Sequence, residues 1–122
     1  MPLVRIETNQ RLSAPKSREL CERLSRLTAE VLRKPEHYVQ VILHQNTDDH
    51  VHVLHGGSGQ AGHAAFVDVR SIGGLGPQVN RTLAGRICAL LTEVADVPGE
   101  RVYLNFTDVP GASWGHDGST FG

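Results

Sequence analysis

Two segments of the chain carry apolar residues at helical spacing, and each lies between two short stretches that read as strands. After Pro15, the residues Leu20, Leu24, Leu27 and Val31 form one stripe at a period near 3.6. Pro15 itself suits a first helical turn, where a missing N–H is tolerated. Pro35 pushes Lys34 out of the α region, so the helix is expected to stop at Lys34-Pro35. Ahead of this helix, Leu3 to Thr8 is a short β-rich run. Behind it, Tyr38 to His44 alternates Val39, Val41 and Leu43 with Tyr38, Gln40, Ile42 and His44, the pattern of a strand with one face on the helices. The same order of strand, helix and strand returns over Ala64 to Ser71, Pro77 to Ala95 and Arg101 to Thr107.

The two halves are copies. Sliding the sequence by 63 positions sets Val4 on Val67, Leu20 on Leu83, Leu24 on Ile87, Pro35 on Pro98, Val39 on Val102 and Leu43 on Phe106. The duplicated unit covers about 2–45 and 65–108 of a single domain, residues 1–122. Right-handed crossovers place both helices on the same side. The predicted fold is therefore α+β, a tandem βαβ repeat that forms a four-stranded sheet with two helices on one face. Ile42, Val4 or Ile6, and their repeat mates are expected to leave apolar groups on the other sheet face. A chain this short has nothing to cover them, which predicts a symmetric oligomer.

Composition narrows the functions. With 12 Lys plus Arg against 13 Asp plus Glu there is no basic excess to attract nucleic acid. No apolar stretch approaches the roughly 20 residues that cross a bilayer, and MPLVRIET lacks the basic and apolar regions of a signal peptide. A cytoplasmic location is expected, with non-classical secretion left open. Cys21 and Cys88 fall in the two helices and read as free thiols. Seven histidines, with His50-Val51-His52 and His55 close together, raise the question of a metal. Their polar, cysteine-free surroundings favour a solvated loop, and no metal or cofactor is predicted.

Several segments together resemble the macrophage migration inhibitory factor branch of the tautomerase superfamily. They are Pro2-Leu3-Val4, Lys34-Pro35-x-x-Tyr38, Ser71-Ile72-Gly73 with Asn80-Arg81, Arg101-Val102-Tyr103-Leu104-Asn105-Phe106-x-Asp108, and Trp114 with Ser119-Thr120-Phe121. The resemblance implies a homotrimer and a keto–enol tautomerase for 2-oxo acids such as phenylpyruvate. It implies that Pro2, freed by removal of Met1, is the catalytic acid/base. An α-amine titrates near ~7.7–8.0 in peptides, and burial beside a cation lowers it further, so that it is neutral at pH 7. By the same resemblance Lys34 and the Ile72 amide hold the substrate carboxylate. Tyr38, Tyr103, Asn105, Trp114 and Phe121 line the pocket, with Tyr103 and Asn105 arriving from a neighbouring subunit. The alternative is an interaction or signalling protein that keeps a vestigial pocket.

The chain also departs from the family. Ala64 and Val67 stand where cytokine-type members carry a Cys-x-x-Cys pair, which excludes thiol redox chemistry at that place. Ile72-Gly73-Gly74-Leu75 has none of the arginines of the dehalogenase branch. Ser113 and a longer Gly115 to Gly118 segment are expected to make one pocket wall more polar and more mobile.

Overall fold

The computed structural model describes residues 1–122. Strand β1 is Leu3–Thr8, helix α1 Ala14–Leu32, β2 Gln40–His44, β3 Ala65–Ser71, α2 Pro77–Ala95 and β4 Val102–Asp108. The two helices keep the offset of the sequence repeat to the residue, and so do the 3₁₀ turns Glu36–Tyr38 and Gly99–Arg101 that follow them. Ser13 caps α1 by accepting from the Lys16 N–H, with a proline in the first turn. Both helices end on a residue in the left-handed region, Arg33 (φ 54°) and Asp96 (φ 55°), rather than on glycine. Tyr38 was expected in the second strand but lies in the 3₁₀ turn. Its N–H is bonded to Pro35 O, so the ladder starts only at Gln40.

The sheet order is β2-β1-β3-β4, with β1 and β3 antiparallel at the centre and each outer strand parallel to its neighbour. In the central register Arg5 stands opposite its own repeat mate Asp68. An approximate two-fold axis thus passes between the copies. Val4, Ile6, Val67 and Val69 are all fully buried in one cluster with Leu20, Leu24, Leu83 and Ile87 of the helices. Burying each such side chain contributes about 1.5–3 kcal/mol.

That packing corrects one expectation. Val4 and Ile6 face the helices, so alternation turns Leu3, Arg5 and Glu7 to the other face. The open face is lined by the pairs Arg5–Glu7 (3.3 Å) and Asp68–Arg70 (3.1 Å), with Ile42, Phe66 and Tyr103 as its exposed apolar and aromatic members. It is a mixed surface rather than an apolar one.

The segment between β2 and β3 has no regular structure, and Val51 and Ala64 are its buried residues. Its histidines disperse. His50 lies 3.8 Å from Asp48, His55 packs on the Tyr103 ring at 4.6 Å, and His63 meets Gln10 at 3.0 Å. No three His, Cys, Asp or Glu converge. Cys21 and Cys88 are free and half-buried, and no helix is long and apolar enough to cross a membrane. The Gly115–Gly118 stretch belongs to a short hairpin. β5 (Gly115–His116) pairs with β6 (Ser119–Thr120) around Asp117 and Gly118, whose φ of 48° and 82° suit a two-residue hairpin turn.

Candidate active site

Topology gathers the site at one end of the sheet. Because β1 runs antiparallel to β3, the start of β1 lies beside the end of β3, with Leu3 opposite Arg70. The parallel pairings bring the start of β2 and the end of β4 to the same end. Pro2 is buried there, and its carbonyl accepts from the Gln40 N–H at 3.0 Å. Tyr38, just ahead of β2, is about half exposed at this end, with its ring tilted by 43° against that of His37.

Lys34 reaches the same place from the end of α1. Its backbone N–H closes the helix on Ala29 O at 3.0 Å, and the left-handed Arg33 turns the chain away from the helix axis. The side chain then runs to the turn after β3, where Nζ donates to Ser71 Oγ (3.0 Å), Ile72 O (2.6 Å) and Gly73 O (3.2 Å). Gly73 and Gly74 both take positive φ, 73° and 85°, and a Cβ on Gly74 would sit 3.2 Å from Lys34 Cε. The two glycines let backbone wrap closely around a lysine stem.

Electrostatics tie the lysine to the chain terminus. Burial, and after it the Lys34 ammonium, hold the Met1 α-amine below its ordinary value of 8.0. Met1 is only half-buried while Pro2 is buried.

The remaining residues divide. Val109 N–H donates to Ser71 O at 2.9 Å, so the C-terminal segment leaves β4 beside the lysine turn. Trp114 and Phe121 are on that segment, joined by the Phe121 N–H to Trp114 O at 3.2 Å. Tyr103 is level with Phe66 and Glu7 at the other end of the sheet, and Asn105 is level with Arg5 at its middle. At about 3.3 Å per residue and 4.8 Å per strand, Tyr103 stands roughly 19 Å and Asn105 roughly 14 Å from Pro2 of their own chain. One chain thus brings Pro2, Lys34 and Ile72 together, with Tyr38 at the same end, and leaves Tyr103 and Asn105 apart. A concavity of about 410 Å³ lies elsewhere, between the helices, lined by Arg23, Arg86, Glu30 and Glu93 among others. Its ion pairs are exposed, and nothing connects it to the amine. Ser71 and Gly73 were not among the expected site residues. The signal for Ser71 was present in its repeat mate Thr8, another buried strand-end hydroxyl bonded to the following turn.

The chain matches the family described as macrophage migration inhibitory factor (MIF) over residues 1–122. It is 35% identical to a macrophage migration inhibitory factor homolog of Trichuris trichiura over 99% of this chain and 100% of the relative. The crystal structure of the homologue from Prochlorococcus marinus superposes with a TM-score of 0.87 at 32% identity, covering 98% of this chain and 99% of the other. A further structure, of a protein inactivated by 2-oxo-3-pentynoate, aligns with a TM-score of 0.78 at 26% identity, covering 96% and 93%.

Proposed function

Because the chain belongs to the macrophage migration inhibitory factor family of the tautomerase superfamily, we propose that it is a keto–enol tautomerase of 2-oxo acids such as phenylpyruvate. The observation that carries this reading is the lysine-bearing turn beside a buried Pro2, with the Lys34 field acting on the chain terminus. Removal of Met1 leaves a secondary amine at Pro2. Kept neutral by burial and by Lys34, it accepts a proton from the carbon next to the substrate carbonyl and, as the prolinium, returns it to the carbonyl oxygen, so that the amine is neutral again. The reverse steps regenerate the ketone, so the reaction is an isomerisation that needs no cofactor. Lys34 and the Ile72 N–H receive the carboxylate. The structural relative inactivated by 2-oxo-3-pentynoate, itself a 2-oxo acid, supports this substrate class.

The pocket is completed by a second copy in a homotrimer. Tyr103 and Asn105 cannot reach Pro2 of their own chain, and they point from an open face whose Ile42, Phe66 and Tyr103 are exposed. Trp114 and Phe121 close the aromatic wall from the hairpin. The two free thiols suit a reducing compartment such as the cytoplasm.

The test is turnover of phenylpyruvate enol, followed by ultraviolet absorbance, after mass spectrometry has shown Met1 to be absent. Pro2→Ala keeps an amine but changes its class and position, and activity is expected to fall by ~100-fold or more, the range of a general base. Activity near that of the unaltered chain would place the base elsewhere. Light scattering is expected to give three times the chain mass, and a stable monomer at micromolar concentration would remove the shared pocket.

A further inference from the structure

The Lys34 ammonium has three N–H donors, and in the free chain it meets three acceptors in the turn after β3. The contacts differ in depth. Ser71 is fully buried and Ile72 O lies 2.6 Å away, both on the inner side, whereas the 3.2 Å bond to Gly73 O is exposed. An incoming carboxylate meets the exposed outer N–H first, and to bond there it must displace Gly73 O. Gly73 O has a second donor, because the Ser71 hydroxyl gives its own hydrogen to it at 2.8 Å. A hydroxyl has one hydrogen and two lone pairs, so Ser71 donates to Gly73 O and accepts from Lys34 at the same time.

We infer that Ser71 is a positioning residue for the substrate carboxylate. It holds the lysine from the inside and keeps Gly73 O paired when Lys34 exchanges that carbonyl for the ligand. The inference rests on the tautomerase reading for the carboxylate that Lys34 receives. Without the hydroxyl the exposed Gly73 O would turn to water during the exchange, and the ammonium would lose the partner that holds it from the inner side, which weakens its placement against a carboxylate. The repeat supplies an internal control. Thr8, the mate of Ser71, accepts from the Gln10 N–H at 3.0 Å and donates to Ala64 O at 2.7 Å, but the mate of Lys34 is the fully buried Val97. A strand-end hydroxyl that only shapes a turn therefore exists in this fold, and Ser71 differs from it by holding an ammonium.

The experiment compares the unaltered chain with Ser71→Ala, Ser71→Thr and Thr8→Val. Binding of 3-phenylpropanoate and of its amide is titrated by NMR, alongside KM and kcat for phenylpyruvate and thermal stability. Ser71→Ala is expected to weaken the carboxylate and raise KM by ~3–10-fold, the worth of one net hydrogen bond, with kcat nearly unchanged. Binding of the amide should stay within about twofold, Ser71→Thr should restore the carboxylate, and Thr8→Val should lower stability without changing the ratio of acid to amide. Equal binding of the acid by Ser71→Ala and the unaltered chain, equal loss of acid and amide, or no binding of the acid by the unaltered chain would each overturn the inference. If Ala prevents folding, Ser71→Cys carries the same comparison with a weak donor of similar shape. An unaltered chain that binds the acid but never turns over phenylpyruvate removes the tautomerase reading, and the binding ratio still decides the role of Ser71.

Discussion

Replacing Lys34 with Met keeps the aliphatic stem against Gly74 and removes only the charge and its donors. Three effects of different size follow. Ile72 O loses its 2.6 Å donor, while Gly73 O retains Ser71. One partly buried carbonyl left unpaired costs about 1–2 kcal/mol, which in a domain of this size lowers Tm by roughly 3–10 °C. A charge-assisted contact to the substrate carboxylate, worth about 1.5–3 kcal/mol, is lost, so KM should rise ~10- to 150-fold. The third effect concerns the base. A cation near the amine disfavours its protonated form, so removing that cation raises the amine pKa. The acidic limb of the kcat/KM profile, which reports the free enzyme's base, should then move to higher pH. Burial is the larger cause of the lowered terminal amine and survives the substitution, so the limb should stop short of the ordinary α-amine value. The assay is phenylpyruvate turnover between pH 5 and 9. A raised KM with an unmoved limb would refute the coupling of Lys34 to the amine and leave burial alone to account for it.

Two further predictions come from the helices. Thr28 is fully buried with no partner for its hydroxyl, at the position where the second copy has Leu91, so Thr28→Val should stabilise the chain by about 1–2 kcal/mol in chemical denaturation, and a loss would show that the hydroxyl is paired. Burial raises both thiols, Cys21 with help from Glu22, so iodoacetamide should alkylate them more slowly than free cysteine at pH 7.5 and faster as pH rises. Alkylation at the free-cysteine rate would contradict the burial.

The strands and helices were legible because the duplication states each of them twice. Leu24 and Ile87, or Val41 and Leu104, confirm one another's period, and the structure keeps the same offset in its helices and 3₁₀ turns. Which face Val4 and Ile6 serve was less legible. Period-two alternation tells that neighbours point to opposite sides but not which side meets the helices, and both faces of β1 carry an apolar residue. Tyr38 was misplaced because a 3₁₀ turn after Pro35 has the polarity of a strand end. The hairpin was not legible, although Asp117-Gly118 is a pair that tolerates the positive φ which its two-residue turn needs. At the site, the resemblance named Pro2, Lys34 and Ile72, and they converge. The acceptors that occupy the lysine were not legible, since carbonyls carry no sequence signature. The separation of Tyr103 from Pro2 needed the strand order as well as the strands.

The account turns on a neutral amine at Pro2. The most direct measurement is an NMR titration of the Pro2 nitrogen in ¹⁵N-proline-labelled protein lacking Met1, set beside the kcat/KM profile for phenylpyruvate. The account predicts a midpoint below the ordinary α-amine range of about 7.7–8.0 that coincides with the acidic limb of the rate profile. A nitrogen that titrates at or above that range, or a limb that does not follow it, would contradict Pro2 as the base.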